Sequence, residues 1–84
     1  MPSLEQRLYK IMSDLFGLRP DHIDDSSSMQ TIRNWDSLKH MEFITAIEEE
    51  FKIPRLTMDE IVRMTSVKEI KRILSDKGAS DQTL

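Results

Sequence analysis

The stretch Asn34-Trp35-Asp36-Ser37-Leu38-Lys39-His40 holds the residue types most able to do chemistry: a serine, a carboxylate, an ammonium and an imidazole within one helical turn. Ser37 and His40 stand three apart, which places both on one side of a helix. Serine nucleophilic catalysis also needs an orienting group and oxyanion donors. No Gly-x-Ser-x-Gly elbow is present, and Asp36 is better used as a helix N-cap. A hydrolase would lose turnover of simple esters in Ser37→Ala or His40→Ala; the expected role of Ser37 is instead that of an acceptor.

Cations in a first helical turn oppose the helix dipole, at about 0.3–1 kcal/mol for an exposed site. Lys39 and His40 stand in such a turn. Two readings remain open: they are solvated surface residues, or with Arg33 they surround a phosphate, bound or covalently attached, at the free amides near Ser37. There are no cysteines, so the chain supplies no disulfide, no thiol nucleophile and no Cys-type zinc site. His22 and His40 lack metal-ligand spacing, so no metal is expected.

Helix signals surround this turn. Ser3-Leu4-Glu5-Gln6 is a capping box, followed by the stripe Leu4, Leu8, Ile11, Leu15, widened by Tyr9, Met12 and Phe16 and stopped at Gly17. From Leu18 to Asp36 the period is lost, yet Leu18, Ile23, Met29, Ile32 and Trp35 are spaced like anchors, predicting a long loop pinned across the helices. A second helix is predicted from Ser37 to about Lys52, with Phe43, Ile44, Ile47 and Phe51 on its apolar face and Leu38, Met41 and Thr45 on a weaker stripe. Ile53-Pro54 closes it. Boxes at Thr57–Glu60 and Ser66–Glu69 open a short third helix and a fourth, whose face is Val67, Ile70, Ile73 and Leu74.

The expected fold is therefore all-α: a small four-helix bundle of three longer helices and one short third helix, with a long loop between the first two. At 84 residues the chain allows one domain, expected over 1–78 with a flexible tail over 79–84. The net charge of −3, from 12 basic and 15 acidic residues, argues against nucleic acid as a partner. No apolar run reaches the length of a membrane span, so a cytoplasmic monomer without stable membrane insertion is expected. Glu42, Glu48, Glu49 and Glu50 turn the second helix acidic, and with Leu38 and Met41 suggest a docking face for basic partners.

Asp36-Ser37-Leu38 heading a helix that continues Met41-Glu42-Phe43-Ile44 and Glu48-Glu49-Glu50-Phe51 resembles an acyl carrier protein. The resemblance extends over nearly the whole chain: Leu15-Phe16-Gly17, Ile23-Asp24, Ser26-Ser27-Ser28, Ile53-Pro54, and Ile61 to Val67. It implies that Ser37 carries a 4′-phosphopantetheine arm, donated from coenzyme A by a phosphopantetheinyl transferase (carrier protein synthase) that Asp36 helps to engage. The arm's thiol would hold acyl or aminoacyl cargo as a thioester, which fits a chain without cysteine. Leu38, Met41, Glu42, Glu48 and Glu49 would meet the transferase and the cargo-loading and processing enzymes of fatty-acid, polyketide or other specialised biosynthesis. The carrier would not itself be an enzyme. Phe43, Ile44 and Ile47 are core positions that could also line an acyl cavity, with Ile61 and Val62 as its movable wall. Phe43 would narrow that space relative to leucine and favour short or polar cargo.

Trp35, Lys39 and His40 depart from the common fatty-acid carriers and look more like specialised ones, and the segment after Pro54, with Arg55, Arg63, Lys68, Lys71 and Arg72, is more basic than is typical of the family it resembles. The alternative, from another class, is a helical protein–protein adaptor that docks through the second helix with no prosthetic group.

Overall fold

The computed structural model describes residues 3–79. Four α-helices follow in order: α1 Leu4–Phe16, α2 Ser37–Phe51, α3 Met58–Arg63 and α4 Val67–Asp76. One 3₁₀ turn, Pro20–His22, interrupts the loop between α1 and α2. The all-α bundle with a short third helix is the predicted architecture, and among the described residues no strand forms beyond an isolated Ser28–Ser66 bridge.

Local chemistry sets the helix ends. The Ser3 hydroxyl accepts from Gln6 N–H at 3.1 Å while the Gln6 side chain accepts from Ser3 N–H at 2.8 Å. Thr57 and Glu60 make the same reciprocal pair at the start of α3. At α4 only half of the predicted box forms: Ser66 Oγ accepts from Glu69 N–H at 3.4 Å, while the flanking Thr65 carbonyl and Val67 N–H pair with the long loop. Gly17, at φ 69°, ends α1 in the left-handed conformation that glycine adopts without a Cβ penalty. Helix α2 stops at Phe51, because Lys52 turns left-handed (φ 52°) before Ile53-Pro54 is reached.

The core gathers Leu8, Met12 and Phe16 from α1, Phe43, Ile44, Ile47 and Phe51 from α2, and Val67, Ile70, Ile73 and Leu74 from α4. The α1 face is rotated from the predicted stripe: Met12 and Phe16 are fully buried, whereas Leu4, Ile11 and Leu15 are only partly so. The cause lies outside α1, since Trp35 stacks on Phe16 with ring centroids 5.0 Å apart. The pinned-loop expectation holds, with Ile23, Ile32 and Trp35 buried and Leu18 and Met29 packed against the core. Main-chain bonds from Met29 N–H to Thr65 O (3.0 Å) and from Val67 N–H to Ser27 O (2.9 Å) fasten the loop to the start of α4. Asn34 Nδ2 donates to Phe16 O at 3.0 Å and fixes its far end to α1.

Lys71 ties three elements together. Its Nζ lies 2.6 Å from both Glu5 of α1 and Asp25 of the loop, and 5.2 Å from the centre of the Tyr9 ring. Burial of the ammonium opposes its charge, but hydrogen bonds to Asp25, Glu5 and Tyr9 outweigh that and raise its pKa above the ordinary lysine value of 10.5. A lysine raised in the folded state stabilises it fully below the unfolded-chain value, and the contribution is lost as pH climbs through the folded value. Lys71→Met is therefore expected to cost about 1 kcal/mol, or about 4–8 °C in thermal midpoint, across neutral pH. The difference from wild type should shrink only in strong alkali, which melts at a series of pH values will check.

At the other end of the chain, Ala79 packs partly against the core and its N–H donates to Leu74 O at 2.9 Å. The rest of the predicted tail, 80–84, lies outside the described residues.

Candidate functional site at the head of the second helix

Ser37 is the first residue of α2 and is exposed. Asp36 precedes it as the N-cap, in extended conformation, with Oδ1 accepting the Lys39 N–H at 2.9 Å. The Asp36 carbonyl takes the His40 N–H at 2.8 Å. The His40 bond is the first i→i−4 link of the helix, and of the amides that a helix start leaves without an intrahelical acceptor the Asp36 carboxylate takes that of Lys39. The Ser37 and Leu38 N–H groups remain directed out of the helix end beside the Ser37 hydroxyl. That is a place for an anionic group on or near Ser37, with the helix dipole in its favour.

His40 does not add charge to this place, contrary to one of the two sequence readings. It is 7% exposed, on the inward face of α2. Trp35 Nε1–H donates to His40 Nδ1 at 3.0 Å, and His40 Nε2 lies 2.7 Å from Ile61 O. An indole N–H can only donate and a carbonyl can only accept. The imidazole must therefore present a bare Nδ1 to Trp35 and a protonated Nε2 to Ile61, which is its neutral form. With both nitrogens engaged and the ring inside, His40 is no general base for Ser37. The sequence held the signal: His40 lies three and four residues before Phe43 and Ile44, on their stripe. Lys39, the other cation of the turn, reaches Glu42 at 3.6 Å.

Leu38 and Met58 are each 70% exposed, Val62 63% and Met41 48%. Leu38 and Met41 thus stand outward beside Ser37, as the weaker stripe predicted. Val62 and Met58 lie on the outer side of α3, while Ile61 packs against the core. Sequence reasoning passed over Met58, whose four-residue spacing from Val62 marks a common face. Phe43, Ile44 and Ile47 are all buried.

The acidic residues of α2 are not one uniform face. Glu42 and Glu49 are exposed. Glu48 is half-buried, and its Oε2 accepts the Leu56 N–H at 2.7 Å, holding the turn after α2. Glu50 is drawn to α1, where Arg7 meets its carboxylate at 3.0 Å and its carbonyl at 2.8 Å. Among the described residues no cluster of His, Cys, Asp and Glu could hold a metal ion.

Comparison with known proteins agrees with this geometry. The family described as "Phosphopantetheine attachment site" matches residues 6–74. An acyl carrier protein of Buchnera aphidicola subsp. Baizongia pistaciae (strain Bp) is 36% identical over 74 residues, covering 88% of this chain and 94% of the relative. The family match runs from within α1 to within α4. The chain belongs to the phosphopantetheine-attachment family of acyl carrier proteins: it is a carrier rather than an enzyme, and its prosthetic group is a covalently attached 4′-phosphopantetheine.

Proposed function

We propose that Ser37 is the attachment residue, and that the carrier delivers acyl or aminoacyl groups to partner enzymes through the surface around it. The observation that supports this most is the exposed Ser37 at the first position of α2, next to its Asp36 cap and two outward amides. The residues present fit the group: the hydroxyl is open to an incoming phosphoryl donor, and the Ser37 and Leu38 N–H groups suit a phosphodiester. When attached, the arm supplies a terminal thiol on which cargo is held as a thioester. Asp36 fixes the first turn and keeps its second carboxylate oxygen available to the modifying enzyme.

Leu38 and Met41 offer the apolar centre of the docking face, and Glu42 and Glu49 its charged rim. Glu48 shapes the end of the face through its bond to Leu56. Rim charges of this kind govern encounter rate and partner choice more than affinity, while exposed apolar anchors carry the binding energy. The partners on this reading are a phosphopantetheinyl transferase and the loading and processing enzymes of a biosynthetic pathway in the cytoplasm. Trp35, Lys39 and His40 favour a specialised pathway over housekeeping fatty-acid synthesis, and 1–78 is the functional domain of a monomer.

Incubation with coenzyme A and a broad-specificity phosphopantetheinyl transferase is expected to add one arm per chain, read by intact-mass spectrometry. Met41→Ala together with Leu38→Ala is expected to raise the transferase KM about tenfold, corresponding to about 1.4 kcal/mol of lost contact. The melting curve should stay close to wild type, because both side chains point to solvent. An unchanged KM would place the docking surface elsewhere.

A further inference from the structure

Four rings fill the interior beneath the head of α2. Phe16 stacks on Trp35 (5.0 Å, 24°), and Trp35 meets Phe43 edge-on (5.6 Å, 64°). Phe43 lies 5.9 Å from Phe16, and the His40 ring lies 5.9 Å from Trp35 and 6.3 Å from Phe43. They come from the end of α1, the last loop residue before the motif, and two successive turns of α2. His40 closes the cluster on the α3 side through its two hydrogen bonds, to Trp35 and to Ile61 O.

A chain anchored at Ser37 and entering between α2 and α3 meets His40 one turn along, on the inward face. To pass, it has to part His40 from Ile61 or from Trp35. An aliphatic chain offers neither donor nor acceptor, so the indole N–H or the carbonyl would be left unpaired in apolar surroundings, a costly state. It must also displace Phe43, which is fully buried and in contact with three other rings. Two grooves among the described residues lie away from this cluster: one is lined by Glu5, Tyr9, Ile23 and Asp24 to Ser26, another by Ser28 to Gln30, Thr65 and Ser66.

We propose that His40, with Trp35 and Phe43, is a specificity-determining plug that keeps cargo outside the bundle. The carrier then suits short or polar acyl groups, which lose little by staying in water, and gives no shelter to long aliphatic chains. This rests on Ser37 as the anchor.

The test uses the full chain loaded from acetyl- or octanoyl-coenzyme A by the transferase, with peptide mass spectrometry first locating the arm. The two loaded forms are expected to melt within about 1 °C of each other, where burial of a chain in the core would raise the midpoint by several degrees. Emission from Trp35, the sole tryptophan, is expected to be the same in both. Phe43→Leu and His40→Ala open the plug, and in each the octanoyl form should melt above the acetyl form. His40→Gln, which can still accept from Trp35 and donate to Ile61, should behave as wild type. Should His40→Ala not fold, Phe43→Leu carries the comparison. No mass gain at Ser37 overturns the anchor and this proposal with it. A gain at Ser37 followed by an octanoyl-dependent midpoint in the wild type overturns the plug alone, as does a Phe43→Leu protein indifferent to chain length.

Discussion

Phe43→Ala is expected to lose about 3–5 kcal/mol of folding free energy, the range for emptying a buried aromatic site. Phe43 is fully buried and touches Phe16, Trp35 and His40, so its removal opens space at the meeting point of α1, the loop and α2. A chain of 84 residues sits near the lower end of the usual 5–15 kcal/mol of stability. The variant should thus unfold at a small fraction of the wild-type urea midpoint. The loss should be visible in Trp35 fluorescence, because the indole edge contacts the ring that is removed. Phe43→Leu should keep most of the stability, since leucine fills much of the volume. If Phe43→Ala unfolded at nearly the wild-type midpoint, the ring cluster would not be the centre of the fold.

Ser37→Ala is expected to abolish arm addition and leave the fold unchanged. The side chain is exposed, and the cap bond at this helix start is made by Asp36, not by Ser37. Alanine is also a favourable helix residue. Asp36→Ala is the informative contrast: it removes the bond to Lys39 N–H and should cost about 0.5–2 kcal/mol through lost capping. It should also slow modification without eliminating the acceptor hydroxyl. The pair separates chemistry from architecture, one variant losing the acceptor with a normal melt and the other losing stability with the acceptor in place.

What the sequence made legible was local. The boxes at Ser3 and Thr57, the caps at Asp36 and Ser66, and the stop at Gly17 each depend on residues within a turn of one another, so pattern alone placed the four helices. The Phe43-Ile44-Ile47-Phe51 face followed from period, and Ser37 from its position at a capped helix start. Features fixed by distant partners were not legible. The rotation of α1 toward Phe16 comes from Trp35, on the far side of the loop. The outward turn of Val62 depends on Ile61 and Met64 taking the inner side of α3. Glu48 looked like part of a solvent-facing run until Leu56 folded back onto it. His40 is the clearest case: it resembled a cation at a helix start, and burial against Trp35 and Ile61 makes it a neutral link between the loop, α2 and α3.

Ser37 is one of several serines in the chain, which include the loop run Ser26-Ser27-Ser28 and the helix caps Ser3 and Ser66. After incubation with coenzyme A and the transferase, proteolysis and tandem mass spectrometry should find the arm on the peptide containing Trp35-Asp36-Ser37-Leu38, at Ser37 and nowhere else. The Ser37→Ala protein should gain no mass. An arm on another serine, or an unmodified chain after treatment with several such transferases, would rule out Ser37 as the attachment residue.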